Sequence, residues 1–186
     1  MIRPGRTLRY WLCGLVAGAL LGNAPAADAP SEYQIKAVFV FNFSHFVEWP
    51  PKEFASATAP FVIGIVGEDP FGARLDEVVR GERIDSHPLI VQRYRSAGEV
   101  GDCQILVIDR SEGPHLGEIL HAMNHRATLT VSELDRAADR GVMIQFVTEN
   151  NRIRLRINAE AARAAGLSVS SKLLRLADIV GTTQGE

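Results

Sequence analysis

The run Phe61-Val62-Ile63-Gly64-Ile65-Val66 constrains this chain more than any other segment. Six residues without a polar side chain form a strand with no water-facing side. Such a strand must be covered above and below, which is the situation of an inner strand in a parallel sheet flanked by helices. The run ends in Gly67-Glu68-Asp69-Pro70, a turn by composition. Cys103-Gln104-Ile105-Leu106-Val107-Ile108 repeats the pattern, with one polar residue, before Asp109.

Helical and extended patterns alternate between and beyond these runs. Phe71 to Val79 predicts an amphipathic helix closed by Gly81, and Pro88 to Tyr94 predicts a strand. Pro114 to Met123 predicts a helix with its proline near the start, where proline is tolerated. Ala127 to Val131 reads as a strand and Leu134 to Arg140 as a short helix or turn. Val142 to Thr148 and Arg152 to Ile157 flank Glu149-Asn150-Asn151 and predict a hairpin. A helix from Ala159 to Ala165, stopped by Gly166, and a last helix from Ser170 to about Val180 complete the expectation. The fold class expected is α/β: a three-layer Rossmann-like or flavodoxin-like sheet, mostly parallel, with an antiparallel C-terminal edge hairpin.

Ser31 to Trp49 is ambiguous by periodicity. Tyr33, Ile35, Ala37, Phe39, Phe41 and Phe43 alternate as in a strand, while Ile35, Val38, Phe39, Asn42 and Phe46 share one helical face. Length favours a helix, with Ser31 as its N-cap and Pro50-Pro51 as its stop.

The first residues predict export. Arg3, Arg6 and Arg9 precede an apolar stretch from Tyr10 to about Leu21, followed by Ala24-Pro25-Ala26. That order is the signature of a cleavable secretion signal over residues 1–26, and the stretch is shorter than the roughly 20 apolar residues of a membrane-spanning helix. Residues 27–186 then read as a single domain that works outside the cytoplasm. Leu12 precedes Cys13 where a lipidation site needs a small residue, so Cys13 reads as part of the apolar stretch. Removing the three arginines from 20 basic residues leaves 17 against 22 acidic ones, a balance of −5. Such a domain is a poor partner for phosphate backbones, and nucleic acid is not expected. Cys103 is the one cysteine outside that segment, so no disulfide can close within a subunit. It is either packed as a small apolar residue or exposed and redox-active, and burial is the expectation.

Ligands in such sheets bind at the carboxyl ends of the strands. The candidates there are Glu68, Asp69, Phe71, Asp109, Ser132 and Glu133. Glu68, Asp69, Asp109, Thr130 and Ser132 follow the order of groups in a phosphoacceptor receiver. The lysine such a site needs is replaced by Thr148 and Glu149. Neither a dinucleotide fingerprint nor a phosphate-binding glycine loop is present. His121 and His125 form the one helical pair among five histidines, too few ligands for a metal site. No nucleophile elbow marks a hydrolase. No catalytic group, cofactor or metal is therefore expected. Arg152, Arg154 and Arg156 alternate with apolar residues and place three guanidinium groups on one face. That face is either a solubilising edge or a binding surface.

The residues also resemble a known family. Tyr33 to Phe43 with Glu48-Trp49-Pro50, Gly67 to Gly72, Cys103 to Ile108 and Leu129 to Glu133 resemble YfiR-like periplasmic proteins. So do Gly141-Val142-Met143-Ile144, Arg154 to Asn158 and Ala165 to Ala177. The resemblance implies a repressor that binds the periplasmic domain of an inner-membrane diguanylate cyclase, YfiN-like, and lowers cyclic di-GMP output. It further implies sequestration by an outer-membrane-associated YfiB-like protein, a role in biofilm control, and a homodimer. Arg154, Asn158, Ser170, Ser171 and Arg175 lie in the most family-like segment and form a second candidate cluster. The family's best-known members pair several cysteines, and a lone Cys103 departs from that pattern. A periplasmic small-ligand sensor is the alternative reading.

Overall fold

The computed structural model describes residues 31–150 and 152–181. The expected export segment, its Ala24-Pro25-Ala26 site and Cys13 lie outside the described residues, as does Asn151 of the hairpin turn.

The ambiguous first segment is a helix, α1 (Glu32–Phe46). Ser31 caps it with a reciprocal capping box: its hydroxyl accepts from the Gln34 amide, and the Gln34 side chain accepts from the Ser31 amide. The helix ends three residues before Trp49. Val47 and Glu48 are drawn into an extended pair, β1 (Val47–Glu48), against β9 (Ser168–Val169).

The main sheet begins with β2 (Phe61–Val66), α2 (Ala73–Val79), β3 (Arg83–Ile84), β4 (His87–Tyr94) and β5 (Ile105–Ile108). It continues with α3 (Leu116–Met123), β6 (Leu129–Ser132), β7 (Ile144–Glu149) and β8 (Arg152–Asn158). After α4 (Ala159–Ala164) and β9 come α5 (Ser171–Leu174) and β10 (Ala177–Val180). Eight strands lie in the order β10-β8-β7-β6-β5-β2-β4-β3. Pairing is parallel except in the β7–β8 hairpin and between β3 and β4.

The mostly parallel sheet and the antiparallel C-terminal hairpin form as expected. The last helix does not extend to Val180. It is one turn, and the chain then turns back as β10 beside β8, with Ala177 opposite Leu155 and Val180 opposite Asn158. Leu173 and Leu176 have helical spacing, but a continued helix would leave the outer edge of β8 without backbone partners, and the strand supplies them.

Side chains divide the molecule into three layers. Phe61, Ile63, Ile65, Ile105, Val107, Leu129, Val131, Phe146, Leu155 and Ile157 pack towards Ala37, Val40 and Phe43 of α1, Leu75 and Val79 of α2, and Leu173 of α5. Val62, Val66, Leu106 and Ile108 face the other way, onto Leu116, Ile119 and Met123 of α3 and onto Ala137 and Val142. The strict alternation along β2 confirms why that run carries no polar residue. Each fully buried Phe or Ile contributes about 1.5–3 kcal/mol of transfer free energy.

The stripe Ile35, Val38, Phe39, Asn42 and Phe46 is not the buried face of α1: Ile35 and Val38 are exposed, and Phe39, Asn42 and Phe46 are half-buried at its margin, with Phe39 packed on Phe146. Lys36, Ala37, Val40, Phe43 and Ser44 form the buried one. The helix is apolar on both sides.

Candidate functional site

The β2–α2 loop, the turn after β5 and the turn after β6 meet at the carboxyl ends of the parallel strands. Gly67 opens the first with φ +92°, and a Cβ there would lie 2.5 Å from Ser111 Oγ, so only glycine lets the two loops close on each other. Asp69 accepts from the Phe71 amide at 2.8 Å and from Arg93 Nε at 2.7 Å. Arg93 also reaches the Asp76 carboxylate and the Gly72 carbonyl. Its hydrogen bond holds the Asp76 carboxyl below the usual range, and the two acids push Arg93 further up. Asp109, buried, accepts from the Ser111 amide at 2.9 Å, and the Ser111 hydroxyl accepts from the Glu68 amide at 3.1 Å. Ser132 donates to the Ile108 carbonyl at 2.8 Å and accepts from the Leu134 amide.

Phe71, Asp109, Ser132 and Glu133 share the wall of one small cavity with Tyr33, Lys36 and Phe146. Glu68 and Asp69 belong to the loop beside it. The cavity is closed from above by the first turn of α1. Lys36 is 2% exposed, and its ammonium reaches the Glu133 carboxylate and, at 2.6 Å, that of Glu32. It also lies 4.9 Å from the centre of the Tyr33 ring and 5.9 Å from that of Phe146. Tyr33 donates to Glu133 at 2.8 Å, and Arg110 Nε lies 3.1 Å from the same carboxylate. Burial, reinforced by the Glu133 hydrogen bond, pushes the Tyr33 phenol up to about 12. The hydrogen bond from Lys36, with that from Thr148, holds the Glu32 carboxyl below its ordinary value.

A lysine therefore does stand among the receiver-like groups, but it arrives from α1 rather than from a strand end. It is committed to two carboxylates. The arrangement neutralises charge and locks α1 to the sheet; it leaves no free base beside a nucleophile.

The C-terminal candidates do not assemble into one site. Asn158 is buried, accepts from the Ala161 amide and donates to the Ala138 carbonyl, which makes it the cap of α4. Ser170 accepts from the Leu173 amide and caps α5. Arg154 lies 3.5 Å from Glu149, and Arg175 donates to Ser171 at 3.5 Å; all four side chains are exposed. The three hairpin arginines share a face opposite Ile153, Leu155 and Ile157, and Arg156 pairs with Asp139 at 3.1 Å. That pairing holds the Asp139 carboxyl below its usual range.

Cys103 is buried as expected, and burial pushes its thiol up to about 12. His125 follows α3 with φ +67°, beyond the helix end, so it does not share a face with His121. Among the described residues no group of three or more His, Cys, Asp or Glu is placed to hold a metal ion.

A groove of about 960 Å³ opens at the other end of the sheet, between the end of α1 and the β3–β4 turn. Trp49, Phe54, Phe61 and His87 line it, with Glu48, Arg83 and Asp85 at its margin. Phe54 stacks on His87 with ring centres 3.9 Å apart, and Trp49 meets Phe61 edge-on at 4.9 Å. Trp49 donates to the Gln104 carbonyl at 3.1 Å.

Sequence reasoning missed Lys36, Tyr33 and Arg110, and it missed this groove. The lysine had a signal: it falls in register with Ala37, Val40 and Phe43, so a helix buried on that side must bury a charge and bring a carboxylate to meet it. The groove had none, because its walls come from segments far apart in the chain.

The YfiR/HmsC-like family model matches residues 33–178. The chain belongs to the YfiR/HmsC-like family. That family is one of regulators of cyclic di-GMP signalling. No curated protein matches the chain. The matched span runs from α1 into β10, so the α1 lock, the strand-end loops and the edge strand are all part of the family's domain.

Proposed function

We propose that this chain is a periplasmic regulator, delivered by the secretion signal at residues 1–26, whose single domain spans 27–186. It binds the periplasmic sensory domain of an inner-membrane diguanylate cyclase and lowers cyclic di-GMP output without chemical turnover of its own. The family match over residues 33–178 carries this reading. The strand-end geometry supports it: the groups best placed for chemistry are bonded to one another. Binding the cyclase's inactive state more tightly than its active one is enough to hold output low. The exposed members of the candidate set, Glu68, Arg154, Ser171 and Arg175, are the ones we assign to partner contact. A YfiB-like protein at the outer membrane would relieve repression by competing for the regulator.

Two measurements test this. A pull-down with the sensory domain of the cyclase encoded beside this gene should recover the complex, and deletion of the gene should raise cyclic di-GMP. Absence of binding together with unchanged cyclic di-GMP rejects the reading. Cell fractionation should place the protein in the periplasm with its N-terminus at Ala27.

The groove at the amino ends of the strands favours a second reading, a small-ligand sensor. Its volume and aromatic walls match those of small-molecule sites. A thermal-shift screen with nucleotides, amino acids and vitamins tests it; a ligand whose effect survives changes at Trp49 and Phe54 does not use the groove.

A further inference from the structure

A further cleft lies at the amino ends of β6 and β7, between the last turn of α3 and α4. Its volume is about 520 Å³, within the range of small-molecule sites. It shares no lining residue with the groove at Trp49. Its walls are mostly apolar. Leu120 and Met123 come from α3, Met143 stands at the entry to β7, and Ala161, Ala164 and Ala165 lie on or beside α4. The space follows from side-chain size. The α4 wall offers only methyl groups, and the turn into β7 passes through Gly141 with φ +106°, where no side chain stands. A Cβ at Gly141 would come within 3.5 Å of Leu120 Cδ1.

The polar side chains around the cleft are all able to donate. Arg140 is exposed on its wall, and the neighbouring carboxylate, Asp139, is taken by Arg136 and Arg156 instead. Arg140 keeps one long hydrogen bond, 3.4 Å, to the Gly113 carbonyl. Thr130 is 1% exposed, and its hydroxyl accepts from the Met143 amide at 3.1 Å. Among the described residues that hydroxyl donates to none, so one buried donor on the lining is unused. Asn124 and His125 complete the polar lining and are exposed. No carboxylate lines the cleft, in a chain that carries more acids than bases.

We propose that this cleft binds a small amphipathic carboxylate, its hydrocarbon body on Met123, Met143 and the alanines and its carboxylate on Arg140. A guanidinium held by one long bond turns to a carboxylate at little cost, and its fork matches both oxygens. Methionines adapt to a flexible hydrocarbon chain. The spare Thr130 proton offers a further donor to an oxygen that enters the cleft. A cationic ligand would meet Arg140 with no counter-charge beside it.

Titration calorimetry on the chain as the cell processes it tests the proposal, with octanoate and decanoate as probes and the matching alcohols as controls. The carboxylates should bind, and the alcohols should bind at least about tenfold more weakly, the scale of a charge-assisted pair. Arg140→Met should weaken the carboxylates by the same factor and leave the alcohols unchanged. Ala164→Trp, at an exposed position, should fill the cleft and abolish binding of both, with unchanged far-ultraviolet dichroism. Failure of both carboxylates to bind at millimolar concentration overturns the proposal. So does binding that Arg140→Met or a folded Ala164→Trp leaves intact, which would place the probe in the groove or on an exposed apolar patch. Binding is read without the cyclase, so its failure is distinct from failure of the regulator reading.

Discussion

At the carboxyl ends of its strands the sheet is closed by Lys36, Glu133 and Arg110, while at the amino ends it lies open in a groove of about 960 Å³. This reverses the common arrangement of open α/β sheets, in which the ligand crevice lies at the carboxyl ends. The difference comes from what precedes β2. The first helix crosses over the strand ends and inserts a lysine where a ligand would otherwise sit. At the other end the chain leaves α1 through Pro50-Pro51 and loops outward before entering β2, and the loop forms a wall rather than a lid. One end is used for stability; the other retains volume and unpaired carboxylates.

The comparison can be broken most severely at Lys36. Lys36→Met removes the charge that meets Glu133, whose side chain is only 9% exposed, and should cost about 3–5 kcal/mol in urea denaturation. The double substitution with Glu133→Gln should recover part of that loss, because the carboxylate that Lys36→Met leaves to Arg110 and the Tyr33 hydroxyl alone is then neutral. A loss below about 1 kcal/mol for Lys36→Met would mean that the strand end is not closed by this pair.

Cys103 lies beside the amino end of β5, at the end with the groove, yet it does not share the groove's exposure. Cys103→Ser should preserve the fold and cost about 1–2 kcal/mol, the scale for placing a hydroxyl in an apolar site. With the thiol raised to about 12 by burial, thiol reagents should label the wild type only after denaturation. Rapid labelling of the folded protein would show that this end of the sheet opens.

The pH dependence separates the two ends further. Glu32 titrates below its ordinary value when folded, because Lys36 bonds it. Its contribution is therefore complete above the unfolded value of about 4.3 and is lost as pH falls through that value towards the lower folded one. Wild type should lose more stability than Glu32→Gln between pH 7 and pH 3. The difference should be under about 1 kcal/mol, since a half-exposed pair is screened. Equal losses would place the acid sensitivity elsewhere. The smallest effect is expected at the groove margin: Glu48→Ala should change stability by no more than about 0.5 kcal/mol, since the carboxylate is exposed. A larger loss would mean that the groove end is also a structural lock.

Much of this architecture was legible in the linear chain. The apolar run at Phe61 to Val66, with its repeat before Asp109, implies strands covered on both faces. The alternation at Arg152 to Ile157 determines which hairpin face carries guanidinium groups. Ser31, Asn158 and Ser170 are recognisable caps, and the spacing of family motifs along residues 33–178 identifies the family. These features are local: periodicity, turn chemistry and capping act within a few residues, and sequence records them directly.

What the tertiary structure alone decided involves residues distant in the chain. Which side of α1 is buried depended on where Glu133 and Phe146 lie, because both sides are apolar enough for a core. Whether Ala177 to Val180 continued a helix or became a strand depended on the unpaired edge of β8. Whether Asp69 and Asp109 bind something depended on Arg93 and their own loop amides, which satisfy them first, while the Glu68 carboxylate stays exposed. A polar group's availability is set by its nearest partners in space, and a charge's partner by the dielectric around it. Neither is written in the sequence near the residue itself.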